Sequence, residues 1–395
     1  MNEQVLYWIW LSTRPRLGAK GLRGLLESFG RPDALFAADA EALKRAGIAP
    51  GLRTALLDKD LKPAQAILQA CERLAITVLT PDGAGYPAAM RQMADAPAVL
   101  YCRGKLPASG LQPWIGLVGA RQADARGLTL ASRFGAQIAV HGGVVVTGMA
   151  KGIDAAAAQG ALQQGYPVVG VLGCGVDVVY PAENAALFQQ VTEQGCLLLE
   201  YPPGTAPNAR HFPARNRIIS ALSDGIVVIQ AAEGSGALIT AHWAAEQGRD
   251  VFSVPGPAGD PLSRGCNQLL RDGALLAESG SDVMQEYLFR YPSALNIQKA
   301  EFRMRNAECR IQNEASAHAG AVMDRPPEAA TPKIDLSALN DVQRAIVTAL
   351  QDGPLQLDAL IDRTGLSAAQ VLQQLTVLQI KKILSQEPGK IYKLL

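Results

Sequence analysis

The chain is 395 residues long, which at roughly 100–200 residues per domain gives two to four domains and ample material for a core. Hydrophobic residues at 48% and charged residues at 18% exclude a disordered chain. The 37 Lys+Arg against 36 Asp+Glu exclude a globally basic surface, so a nucleic-acid partner has to be met by locally clustered cations.

Residues 1–75 are predicted as an all-helical domain, with Val5 to Leu11, Leu22 to Phe29, Ala40 to Arg45 and Leu52 to Leu57 as short helices broken by glycine. The turns at 14–21 and 46–51 resemble helix-hairpin-helix connections, whose backbone N–H groups can meet a phosphate. Arg14, Arg16, Lys20 and Arg23 lie in a stretch, 14–23, that holds no acidic residue, and form a candidate basic face.

Residues 76–290 change texture. Apolar β-branched runs alternate with helical patterns, the signature of a parallel sheet covered on both faces. The strands are 115–118, 144–147, 168–172, 197–199, 226–229, 251–254 and 274–276, with helices at 128–140, 155–164, 187–194, 216–222 and 238–247 between them. The fold class is α/β, a doubly wound Rossmann-like parallel sheet, prefaced by a small extended segment at 76–111. Residues 291–335, with mixed charges and Pro326-Pro327, read as a flexible linker. Residues 336–395 regain periodicity as three helices, 342–350, 357–363 and 368–378, and a hairpin of 382–385 with 391–394, a winged helix.

In an open α/β sheet, ligands bind outside the carboxyl ends of the strands. The informative loops here are Gly119-Ala120-Arg121, Thr147 to Asp154, Gly173 to Asp177, His211 to Ser220 and Glu233 to Thr240. Gly234-Ser235-Gly236 at a helix start is a phosphate cradle, and Gly148 and Gly152 can serve the same end. Arg121, Lys151, Arg215 and Arg217 are expected to converge on one rim, a local basic concentration in a domain whose residues 112–290 hold 11 basic and 15 acidic residues. Phe212 reads as an aromatic in a polar loop, able either to stack on a base or to anchor the loop. Asp154, Asp177 and Glu233 read as helix caps rather than general bases.

Several chemistries lack their residues. No G-x-x-x-x-G-K-[ST] loop occurs, and the first strand lacks a full G-x-G-x-x-G with a following acid, which removes support for ATP hydrolysis and dinucleotide redox chemistry. The six cysteines include no C-x-x-C pair and the four histidines none at ligand spacing, so neither a metal nor another cofactor is expected. No apolar run reaches the roughly 18 residues of a membrane span, and Met1 to Gln4 lack the basic start of a signal peptide; the expectation is a cytoplasmic protein.

Six motifs in order then resemble one family closely: VGAR at 118–121, TGMAKGID at 147–154, GCGVDVVYPAEN at 173–184, FPARNRIIS at 212–220, GSGALITA at 234–241, and VPGP at 254–257 followed by GCNQLLRDGA at 265–274. The family is the DNA-processing protein A (DprA, or Smf) family. The resemblance implies an N-terminal sterile-alpha-motif-like helical domain, an extended Rossmann domain and a C-terminal winged helix. It implies a non-enzymatic protein that binds and protects incoming single-stranded DNA in natural transformation, displaces or cooperates with single-stranded DNA-binding protein, and loads the RecA recombinase. DNA contacts carry over onto Gly119, Arg121, Gly148, Lys151, Gly152, Phe212, Arg215, Asn216, Arg217 and Gly236, joined by Ser235 and Thr240 of the phosphate cradle. Ala214 stands where many relatives carry a basic residue and Ala120 where serine is frequent. The resemblance and the apolar end of the sheet, Leu269, Leu270, Leu275 and Leu276, together suggest a homodimer.

Two readings compete. A nucleotide phosphoribohydrolase-like enzyme also places glycine-rich loops at strand ends, but the PGGxGT run it needs is missing from the sequence. A winged-helix regulator of duplex DNA needs a basic recognition helix, whereas 367–380 holds Gln370, Gln373 and Gln374 and no Arg or Lys. The basic residues of that domain gather instead at Lys381, Lys382, Lys390 and Lys393 near the hairpin.

Overall fold

The computed structural model describes residues 3–295 and most of 339–394, except 352, 354, 367–370, 372, 373, 376, 380–382 and 388–390. The chain divides into two compact units. Of the linker expected over 291–335, residues 291–295 are described and belong to the first unit, with Tyr291 and Leu295 buried in its core; the rest, together with Gln370, Gln373, Lys381, Lys382 and Lys390, lies outside the described residues.

The first unit opens with six helices: α1 (Glu3–Ser12), α2 (Ala19–Phe29), α3 (Pro32–Ala37), α4 (Ala40–Arg45), α5 (Pro50–Leu57) and α6 (Lys62–Arg73). Local chemistry sets their ends. Pro32 and Pro50 start α3 and α5, where an N–H has no helical partner to lose. Asp39 caps α4 by accepting from the Ala42 N–H. Trp8, Ile9, Trp10 and Leu11 of α1 are buried in one core with Val99 and Tyr101, so these helices and the sheet share hydrophobic packing. The expected basic face is partly neutralised: Arg14 is buried and paired with Asp58 at 3.1 Å, and Arg23 pairs with Glu27 at 3.1 Å. Asp58 lies 44 residues from Arg14, beyond any local sequence window.

Nine strands follow: β1 (Ile76–Leu79), β2 (Leu100–Gly104), β3 (Trp114–Val118), β4 (Val144–Thr147), β5 (Val168–Val171), β6 (Cys196–Leu199), β7 (Gly225–Val228), β8 (Asp250–Ser253) and β9 (Leu275–Leu276). They form one sheet in the order β1-β2-β6-β5-β4-β3-β7-β8-β9. The run from β6 to β9 is parallel, and β2 and β1 extend it antiparallel beyond β6. Within the parallel part the winding starts at β3, steps outward to β6, then returns to lay β7 on the other side of β3, so its direction reverses between β3 and β7.

Strand periodicity divides the core in two. Ile115, Leu117, Val145 and Val227 face α8 (Ala125–Val140) and α9 (Ile153–Gln163), while Trp114, Val118, Val146 and Val228 face α11 (His211–Leu222) and α12 (Gly236–Glu246). The helices begin two to five residues earlier than the apolar pattern suggests, because their first turns carry few periodic apolar residues. The largest difference is at α11. Residues 211–215, expected as loop, are helical from His211, whose N–H donates to Asn208 O at 2.9 Å, and Pro213 is tolerated in the first turn.

The second unit contains α13 (Asp341–Leu350), capped by Asn340, and α14 (Leu357–Thr364). A three-stranded antiparallel sheet joins Leu355–Gln356, Leu384–Glu387 and Ile391–Leu394. Ile346, Val347, Leu350, Leu360, Leu375, Leu378, Leu384 and Tyr392 make its core. Two of the three expected helices and the hairpin are described, with the first hairpin strand two residues later than the pattern suggests; much of the third helix, 368–378, lies outside the described residues.

Candidate nucleic-acid interface

A cleft of about 560 Å³ opens outside the carboxyl ends of β3 and β7, at the reversal of winding. The loop after β3 supplies Gly119 and Arg121, α9 supplies Asp154, α11 supplies Phe212, Arg215 and Asn216, and the start of α12 supplies Ser235, Gly236 and Thr240. Gly148 and Lys151 line a small neighbouring hollow of about 70 Å³ together with Arg121, Phe212 and Arg215. Gly152 and Arg217 line neither.

The fate of the arginines follows from the helix. Arg215 and Arg217 are two residues apart, roughly 200° around a helix of 3.6 residues per turn, so they leave α11 on opposite sides. Arg217 does not reach the expected rim. It is buried behind the helix, with Nε 3.3 Å from Asp95 and Nη2 2.6 Å from Glu200. Arg215 is also buried, but it turns to the cleft, donates from Nη1 to the Val171 carbonyl, and leaves Nε without a partner among the described residues. It makes no ion pair there. Burial holds its pKa down to about 10, opposed by the Asp154 carboxyl, and it remains a cation at neutral pH. Burial in turn pushes the Asp154 carboxyl up, opposed chiefly by Arg215. Asp154 is not the cap of α9: Gly152 holds that position, and Asp154 Oδ2 accepts from the Ala150 N–H at 3.4 Å.

The glycines have a packing role. A Cβ at Gly148 would lie 2.4 Å from Arg215 Nη1 and 2.7 Å from Asp154 Oδ2. Gly152, at φ +78°, would drive a Cβ to 2.3 Å from the Ala120 carbonyl. Gly236 by contrast faces open space at the N-terminus of α12, beside a Ser235 hydroxyl that is buried without a partner. Asn216 Nδ2 donates to the Gly236 carbonyl at 3.2 Å and ties the two helices together. Thr240 is buried one turn deeper.

Aromatic and cationic groups meet at the mouth. The Arg121 guanidinium sits 5.4 Å over the Phe212 ring, within cation–π range, and the Tyr180 ring is 5.4 Å from Phe212 at 34°. Phe212 is half-buried in the first turn of α11 rather than in a loop. Lys151 is exposed and paired with Glu183 at 2.5 Å, a partner 32 residues away. Asp177 is no cap either: both its carboxylate oxygens accept from the Gly204 N–H, at 2.8 and 3.0 Å, and clamp two loops behind the cleft. Sequence reasoning missed Tyr180; its signal was present in the YPAEN run, where an aromatic precedes a proline in a strand-end loop. Among the described residues no group of three or more His, Cys, Asp or Glu side chains is placed to hold a metal ion, and no helix is long and apolar enough to cross a membrane. The five described cysteines are free and buried.

Comparison with known proteins adds a lineage to this geometry. The family model described as DNA recombination-mediator protein A matches residues 77–288, and that described as the DprA winged helix domain matches 326–390. Protein Smf of Synechocystis is 30% identical over 99% of this chain and 99% of its own length. DNA processing protein DprA of Streptococcus pneumoniae is 42% identical over 52% of this chain and 72% of its own length. The X-ray structure of DprA from the same organism superimposes with a TM-score of 0.63 at 33% identity, covering 71% of this chain and 97% of the other.

Proposed function

The chain belongs to the DNA recombination-mediator protein A (DprA/Smf) family of DNA-processing proteins, and on that premise we propose that its cleft binds single-stranded DNA. The observation that carries the reading is the arrangement at the mouth. Phe212 offers an aromatic face to a base, Arg121 stands over it, and the open start of α12 at Gly236 lies across the same cleft. Sequence-tolerant single-strand binding needs these elements, a stacking surface beside cations that track the backbone. Arg215 supplies a second cation from beneath, already desolvated and without an ion-pair partner among the described residues.

The wider reading extends from this site. The protein protects incoming single strands during natural transformation, works in the cytoplasm alongside single-stranded DNA-binding protein, loads RecA, and carries out no chemistry on the strand. It acts as a homodimer joined through the β9 end of the sheet, where Leu275 and Leu276 are 42% and 58% exposed and Leu269 and Leu270 lie half-buried beside them.

Titrating the full chain against fluorescent single-stranded and duplex oligonucleotides at several salt concentrations tests the core claim. Preference for the single strand, with affinity falling linearly in log salt, is expected; equal or stronger duplex binding would sink it. The RecA step is tested by the rate of filament nucleation on strands precoated with single-stranded DNA-binding protein, which should rise when this protein is added. Light scattering should give twice the 41.8 kDa chain mass.

A further inference from the structure

Tyr180 lies in the loop between β5 and α10 (Ala185–Gln194), and the residue is 44% exposed although its ring already contacts Phe212. It lines both the main cleft and the smaller hollow, the only aromatic besides Phe212 to do so among the described residues. Its loop is fastened at both ends. Cys174 Sγ contacts the Val178 carbonyl at 3.4 Å, and Asn184 Nδ2 donates to the Met149 carbonyl at 3.1 Å and to that of Ala150 at 3.4 Å. An exposed aromatic on an anchored loop keeps its face in position with little ordering left to do on binding.

We propose that Tyr180 is a second stacking residue, so that a base of the bound strand rests against an aromatic corner made by Tyr180 and Phe212 rather than on Phe212 alone. This rests on the reading of the cleft as a single-strand site and adds a contact to it. The two rings are tilted at 34° with centroids 5.4 Å apart rather than stacked in parallel, and the exposure of Tyr180 leaves room against it for a third planar group. The guanidinium of Arg121 already occupies a position over Phe212. An arriving base takes that place, and the released cation is then available to a phosphate.

Tyr180→Ala, Tyr180→Leu and Tyr180→Phe in the full chain, titrated with an oligothymidine, test this. Tyr180→Ala and Tyr180→Leu are each expected to weaken binding about tenfold or more with an unchanged salt slope, and Tyr180→Phe to stay within about twofold of the native protein. Photocrosslinking with an iodouracil-substituted oligonucleotide should attach the strand at Tyr180 as well as Phe212, a readout that altered packing of Phe212 alone would not produce. Native affinity in Tyr180→Ala, full retention in Tyr180→Leu, or crosslinks at Phe212 without any at Tyr180 would overturn the proposal while leaving the single-strand reading standing. If the native protein itself fails to bind the strand, the reading falls first.

Discussion

The two sides of α11 each bury an arginine and use it in opposite ways. Behind the helix, Arg217 is held by Asp95 and Glu200, two carboxylates that account for its charge within the protein. On the cleft side, Arg215 donates to a backbone carbonyl, and although each of the two arginines has one nitrogen without a hydrogen-bond partner, Arg215 alone has no ion pair among the described residues. A buried cation with its own counter-ions belongs to the fold, whereas one left short of partners, beside an opening, has capacity for an outside anion. Two arginines in one motif therefore divide between stability and recognition by which way the helix turns them.

The largest expected effect breaks the rear side. Arg217→Ala strands two partly buried carboxylates and should cost about 1.5–3 kcal/mol, read as a fall in the urea midpoint at constant m-value, with the salt slope of any surviving DNA binding unchanged. An effect on the slope with no loss of stability would reverse the assignment of sides. On the cleft side, Phe212→Ala should cost about 1–3 kcal/mol of single-strand affinity with little change in stability, measured by anisotropy and thermal melting on the same samples. Replacing both Arg121 and Lys151 by Ala should flatten the slope of log affinity against log salt by roughly 1.4, about 0.7 for each phosphate contact on a single strand. A flattening of only half that size would assign Lys151 to Glu183 in the complex as well, since that ion pair has to open before the lysine can reach a phosphate.

The smallest effect sharpens the contrast through pH. Burial raises the Glu200 carboxyl above its usual 4.5, against the pull of Arg217. A raised acid binds more protons folded than unfolded. Its contribution is therefore fully present below pH 4.5 and is lost as pH rises through the folded-state value. Glu200→Gln should remove that component, so the difference in unfolding free energy between variant and native protein should change across this window and be flat above it.

The strands were legible because parallel, doubly covered strands are runs of β-branched residues, and β4, Val144–Thr147, has the predicted bounds. The start of α11 was not, since His211, Phe212 and Pro213 look like loop composition until Asn208 is seen to receive the first N–H. Arg217 was misplaced for a related reason: in a loop two nearby cations share a rim, and in a helix they separate. The acids that matter sit far along the chain, Asp95 from Arg217, Asp58 from Arg14 and Glu183 from Lys151, so charge balance read in a local window overcounts free cations. Six motifs supplied the lineage and most of the cleft lining, but motif membership alone did not distinguish a residue that faces a ligand from one that holds the helix in place.

The far edge of the sheet carries a different consequence. β9 is two residues long, Leu275–Leu276, so the rim it presents has very few free N–H and C=O groups. A longer strand there would template the addition of further strands, and a nine-stranded sheet would be a seed for open-ended aggregation. Cutting the edge to two residues withholds that template while leaving leucine side chains on display, so any self-association at this end would have to proceed through side-chain packing, which saturates once the apolar surface is covered.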